Sequence, residues 1–255
     1  MKILAISSLP TVGNAGLKNV LGILGNKVIP VPTLIISGLA NMEGNQRFEL
    51  PFGEILERSL WMAKKQSYQL IVYTGYMSQA SQIDDVANIL PKYKDIIHST
   101  IVDPVCGDNG RAYVGRDIID RFPVLLEKAN WAIPNKTEIG LLTHNEMDNE
   151  LEELSNAFKK RFPNLNYIVT GIIDGDEIGN ALHIDNQTQS FSHPYYQKHY
   201  SGTGDAFAAL FIYYHFIRSL TAQLATQKAG EELASFIKSS IDENKAAHDL
   251  NLIIK

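Results

Sequence analysis

Short apolar runs recurring between amphipathic stretches set the strongest limit on what this chain can fold into. The clearest runs are Lys2–Ser7, Val28–Ile36, Leu70–Tyr73, Thr100–Val102, Trp131–Ile133 and Tyr167–Thr170. Between them lie the helical patterns Phe52–Lys65, Gln82–Tyr93, Gly115–Lys128 and Leu151–Phe162. Such alternation predicts an α/β protein with a mainly parallel central sheet flanked by helices. In the last helix, apolar residues at 151, 154, 158 and 162 repeat at helical spacing, with an Asp148-Asn149 start and a Pro163 stop. After Thr170 the pattern changes. Glu177–Ile184 and Gln189–His193 alternate around Asp185-Asn186, as in an antiparallel hairpin appended to the sheet. Two helices, about Thr203–Leu220 and Thr221–Asn244, close the chain. With no repeat and no long linker, residues 1–255 read as a single domain. Ser37–Leu50 is polar and weakly periodic, and reads either as a lid over a substrate or as an ordinary surface loop.

Charge and cysteine use narrow the partners. A formal net charge of -5 leaves no basic stripe for nucleic acid. The densest basic cluster, Lys159–Lys160–Arg161, ends a helix and complements its dipole. The one cysteine, Cys106, has no internal disulfide partner and reads as a small buried apolar residue, which points to a reducing compartment. The apolar N-terminal run breaks at Ser7-Ser8, too short for a signal peptide, and no stretch reaches the roughly 18 apolar residues of a membrane span. The expectation is a cytoplasmic protein with no membrane partner. The seven histidines show no metal-ligand spacing. His193, His199 and Tyr200 read first as hairpin-face residues.

The most informative stretch is Ser201-Gly202-Thr203-Gly204-Asp205, followed by small and apolar residues. A glycine-rich turn opening a buried helix aims several free N–H groups at one spot, where the helix dipole also favours negative charge. Asp205 would then stand beside a transferring phosphate, able to accept a proton from an attacking hydroxyl; it could equally be a simple cap. The stretch is neither a Walker loop nor a dinucleotide fingerprint. Asp103-Pro104-Val105-Cys106-Gly107-Asp108 and Pro134-Asn135-Lys136-Thr137-Glu138 each follow a strand, at the sheet edge where α/β sites form. Asn135 and Glu138 suit Mg²⁺ through their oxygens, or simply form a capping box.

Together these segments resemble the ribokinase-like superfamily in its vitamin kinase branch, and pyridoxal kinases most closely. The matching pieces are Ser7-Ser8 through Val12-Gly13-Asn14-Ala15-Gly16, Gly75-Tyr76, D-P-V-x-G-D at 103–108, P-N-x-T-E at 134–138 and G-T-G-D at 202–205. The resemblance implies a three-layer sandwich and ATP-dependent phosphorylation of the 5′-hydroxymethyl group of pyridoxal, with pyridoxine and pyridoxamine as further substrates. It implies Asp205 as the base and the Gly202, Thr203 and Gly204 amides as the anion hole. Asp103, Asp108 and Glu138 would organise Mg²⁺, and in some relatives a monovalent cation such as K⁺. Asn135 and Thr170 would contact ATP, while Ser8, Val12, Thr33 and Tyr76 would hold the pyridine ring. Val12 and Tyr76 also suit plain packing. The family commonly forms homodimers.

Departures blur the substrate rather than the phosphoryl-transfer machinery. The loop Ser8–Gly13 lacks a tyrosine carried by many relatives, Gly171 stands where many have serine, and Cys106 where methionine is common. A hydroxymethylpyrimidine kinase is the alternative enzyme, but its G-G-A-G-I-Q run is missing from Ser8–Asn19. A catalytically silent vitamin- or nucleotide-binding protein is the alternative from another class.

Overall fold

A computed structural model of the chain describes residues 1–39, 41–145, 150–250 and 252; the Asp148-Asn149 helix start lies outside the described residues. The first half runs β1 (Lys2–Pro10), α1 (Leu17–Leu24), β2 (Val28–Ile36), β3 (Arg47–Glu49), α2 (Phe52–Lys65), β4 (Leu70–Thr74), α3 (Ala80–Ile89) and β5 (Ile97–Val102). A small two-stranded ribbon, β6 (Gly107–Asp108) and β7 (Arg111–Ala112), precedes α4 (Arg116–Ile119) and α5 (Pro123–Leu126). There follow β8 (Trp131–Ala132), α6 (Lys136–Thr143), α7 (Leu151–Arg161), β9 (Asn166–Asp174), β10 (Glu177–Ile184), β11 (Gln187–Pro194), α8 (Thr203–Ile212) and α9 (Ala222–Asp242).

The sheet order is β11-β10-β9-β8-β5-β4-β1-β2-β3. Strands β2, β1, β4, β5, β8 and β9 pair in parallel, while β3 at one edge and β10 and β11 at the other are antiparallel. The chain builds to one side of β1 first and then to the other, so a crevice opens at the carboxyl ends of β1 and β4, where α/β sheets bind ligands.

Alternation along each strand builds the three layers. Leu4 and Ile6 of β1 join Leu56, Ile83, Phe122 and Phe158 in the core under α2 to α7. Their neighbours Ile3 and Ala5 join Val20, Phe207, Phe211 and Phe236 in the opposite core under α1, α8 and α9. Both faces of the sheet are therefore covered, which is why its inner strands read as unbroken apolar runs. No helix among the described residues is long and apolar enough to cross a membrane.

Local chemistry adjusts several expected boundaries. Gly115–Lys128 is two short helices rather than one, because Pro123 lacks an N–H and its ring crowds the carbonyl four residues back. The helix from Thr203 is α-helical only to Ile212 and widens into a π-helical turn at Tyr213–Ile217. Ser37–Leu50 contains β3, and Ser37 and Gln46 exchange hydrogen bonds at the base of this hairpin. His193 packs against Gly230 on α9, Tyr200 is buried beneath α9, and His199 is exposed.

Candidate active site

The glycine-rich turn behaves as its composition requires. Gly202 sits at φ +75° as the N-cap of α8, and no side chain caps the helix. Its backbone is pressed onto the first loop: a Cβ there would lie 2.4 Å from Asn19 Nδ2 and 2.7 Å from Asn14 O. The Asn19 amide, wholly buried, donates to the Gly202 carbonyl at 2.8 Å. Gly204, two residues further, faces open space, with nothing within 4 Å of where a Cβ would stand. The first amides of α8 thus have no side-chain cap, the condition an anion site requires.

Asp205 stands in that first turn. Its Oδ2 accepts the Gly16 N–H at 2.8 Å, and its Oδ1 lies 3.4 Å from the Tyr73 hydroxyl. Burial pushes its carboxyl up to about 6, against the opposing pull of these two donors. Gly16 can make this bond only as glycine. Its φ is +54°, and a Cβ would lie 2.3 Å from the Ser8 carbonyl.

Asp103, 5% exposed, follows β5; its Oδ2 is 3.2 Å from the same Tyr73 hydroxyl. Burial first, then the Asp205 charge, pushes its carboxyl well above the usual range. Glu138, 3% exposed, is likewise pushed up by burial and then by Asp103. Its two oxygens take the Cys106 and Asn135 amides, and Asn135 Oδ1 accepts the Glu138 N–H at 2.9 Å. The capping box is therefore formed. Asn135 also donates to the Gly107 carbonyl at 2.9 Å, fastening the 103–108 loop to α6. Asn135, just past β8, forms a parallel bridge to Thr170 within β9. Asp108 is exposed, with its carboxylate turned back on Asn109.

These carboxylates form no three-ligand cage, and no group of three His, Cys, Asp or Glu suited to a metal occurs among the described residues. Mg²⁺ in phosphoryl-transfer sites needs only one or two carboxylates plus substrate phosphates. Asp103 and Glu138 fit that requirement: they are buried, mutually repelling, and without an ion pair among the described residues.

The four ring-holding candidates are less uniform. Ser8 is buried under Gly16. Thr33 is wholly buried and donates to the Tyr76 carbonyl at 3.0 Å, while Gln82 donates to the Thr33 carbonyl. Tyr76 is half-buried, and its N–H donates to Ser7 Oγ at 3.2 Å. Val12 is 55% exposed. Cys106 is buried, and burial pushes its thiol up, away from reactivity. A separate cavity of about 200 Å³ beneath α3 is walled by residues such as Val86, Leu90 and Leu125 and offers no carboxylate. The partners missed in the sequence are Tyr73, Asn19 and the Gly16 amide. Only Gly16 carried a signal, as a glycine in a loop; Tyr73 and Asn19 look like core.

A switch-point crevice, an uncapped helix start and a half-buried aspartate come together in a ribokinase-like α/β protein. The chain belongs to the phosphomethylpyrimidine kinase family, whose pattern matches residues 31–251. A pyridoxal kinase of Dictyostelium discoideum is 26% identical over 199 residues, covering 68% of this chain and 65% of that protein. Among solved structures, pyridoxal kinase from Lactobacillus plantarum superposes with a TM-score of 0.86 at 22% identity, over 97% of this chain and 92% of that one. Pyridoxal kinase from Leishmania donovani in complex with ADP and pyridoxamine gives 0.84 at 23%, over 98% and 92%.

Proposed function

We propose that this chain transfers the γ-phosphoryl group of ATP to the 5′-hydroxymethyl group of pyridoxal, and of pyridoxine and pyridoxamine, as one kinase domain spanning residues 1–255. The carrying observation is Asp205, held by the Gly16 amide at the first turn of an uncapped helix whose Gly204 faces open space. The relatives named above are pyridoxal kinases, one crystallised with ADP and pyridoxamine, and they support this substrate class.

In this reading Asp205 takes the hydroxyl proton as the substrate oxygen attacks the γ-phosphorus and the bond to ADP breaks. The Gly202, Thr203 and Gly204 amides receive the charge on the transferring group. Asn135 and Thr170, paired across β8 and β9, would orient the ATP phosphates. Asp103, with Glu138 and Asp108, would hold Mg²⁺, which would supply positive charge to the phosphate oxygens; the same cluster would hold a monovalent cation such as K⁺. On the substrate side Ser8, Val12, Thr33 and Tyr76 would hold the pyridine ring. The same resemblance extends to a cytoplasmic homodimer, for which exposed Phe48, Trp61 and Met62 supply apolar surface.

The test is ATP-dependent phosphorylation of pyridoxal and of hydroxymethylpyrimidine side by side, with Asp205→Asn as control. Transfer to pyridoxal that collapses in the variant supports the reading. Transfer to the pyrimidine alone would move the chain to the alternative that its family description favours. No transfer to either, with ATP still bound, would leave a silent binding protein.

A further inference from the structure

Tyr73 is wholly buried near the carboxyl end of β4, on the face packed by α1 and α8. Its ring could be that of any core aromatic, yet its hydroxyl stands at the centre of the site. The oxygen lies 3.2 Å from Asp103 Oδ2, 3.4 Å from Asp205 Oδ1, and 3.1 Å from the place a Cβ on Gly75 would occupy. One hydroxyl therefore touches the groups after β4 and β5 and the first turn of α8.

A carboxylate acting as base must present one oxygen in a fixed direction. Asp205 Oδ2 is tied to the Gly16 amide. Nothing else among the described residues restrains Oδ1 except the Tyr73 hydroxyl. A phenol has a single proton to donate, so it serves one carboxylate while its oxygen fills the space against the other. With the hydroxyl gone, the Asp205 carboxylate keeps one anchor and can rotate about it. The separation between Asp205 and Asp103 then also loses its spacer.

We propose that Tyr73 is a positioning residue for phosphoryl transfer, its hydroxyl bridging Asp103 and Asp205 and fixing the direction of Asp205 Oδ1. This rests on the kinase reading above. Misplacing a reacting group by about 1 Å can cost on the order of 100-fold in rate.

The test uses the full chain with ATP, Mg²⁺ and pyridoxal, comparing wild type, Tyr73→Phe and Tyr73→Leu. Phe keeps the ring and loses only the hydroxyl; Leu loses the packing as well. The expected result is a kcat lower by roughly 10- to 100-fold in Tyr73→Phe, with KM for ATP and pyridoxal within about threefold of wild type. Thermal melting should fall clearly only in Tyr73→Leu. An unchanged kcat in Tyr73→Phe would overturn the inference while leaving the kinase reading intact, and so would a loss confined to KM. A wild-type chain with no transfer to pyridoxal would overturn the kinase reading and this inference together.

Discussion

Gly202 and Gly204 are two residues apart in one motif, and the structure assigns them opposite sensitivities to a single methyl group. At Gly202 an alanine must adopt φ +75° and place its Cβ 2.4 Å from Asn19 Nδ2 and 2.7 Å from Ala15 Cα. The left-handed conformation costs about 1–2 kcal/mol for a residue with a Cβ. Overpacking against backbone adds about 1–3 kcal/mol. The sum, about 2–5 kcal/mol, corresponds to a Tm drop of roughly 4–20 °C in a chain of this size. At Gly204 the Cβ meets nothing within 4 Å. Alanine there is compatible with the helix and should stabilise by about 0.4–1 kcal/mol through the unfolded chain. Its methyl, however, projects where the reading puts the phosphate. We expect Gly204→Ala to melt no lower than wild type while kcat/KM for ATP falls at least about tenfold, equivalent to ~1.4 kcal/mol. Differential scanning fluorimetry and a coupled ADP-release assay on both variants measure this. A Gly202→Ala protein that melts like wild type would refute the packing argument. A fully active Gly204→Ala would refute the location of the phosphate.

Other consequences follow from the same geometry. As the proposed base, Asp205 must be ionised, so kcat/KM should climb through about pH 6 and level off above it; an acid limb centred below pH 5 would contradict this. Because burial raises this carboxyl, the folded state holds the proton more tightly than the unfolded one. That contribution to stability is full below about pH 4 and is lost as pH rises through about 6. Asp205→Asn should therefore unfold at higher denaturant than wild type at pH 7.5, by roughly 1–3 kcal/mol, the lower end reflecting partial exposure of the carboxyl. Asn135→Ala removes the α6 cap and the tie to Gly107, and should cost at least about 1 kcal/mol in urea unfolding. If Asp103 and Glu138 hold a cation, EDTA should abolish transfer and Mg²⁺ restore it, and Asp103→Asn should weaken Mg²⁺ binding measured by calorimetry. The His183 ring, stacked on Tyr167, is held down to about 4 by burial, so its NMR titration should fall well below that of an exposed histidine.

Several features were fully encoded in local sequence. Val28–Ile36 and Phe52–Lys65 have the boundaries their patterns predict, since an apolar strand run and an amphipathic helix are each marked within their own residues. The 201–205 turn, the 103–108 loop and the 134–138 cap were also legible, because glycine, proline and capping residues act within a few positions of themselves. α1 was missed although Gly16 and Gly25 bracket Leu17–Leu24, and β3 was missed because its three exposed residues have no pattern apart from their partner.

What the sequence by itself determined was the class of fold and the identity of the groups at the carboxyl ends of its strands. The tertiary structure alone decided which of those groups meet. Tyr73 reads as one more apolar strand residue, yet the β1–β4–β5 order and the docking of α8 bring its hydroxyl to both Asp103 and Asp205. Gly16 and Asp205 are 189 residues apart and share one hydrogen bond. Periodicity records the face on which a side chain is buried. It carries no information about its neighbour across the sheet, because that is fixed only when strand order and helix docking are set together.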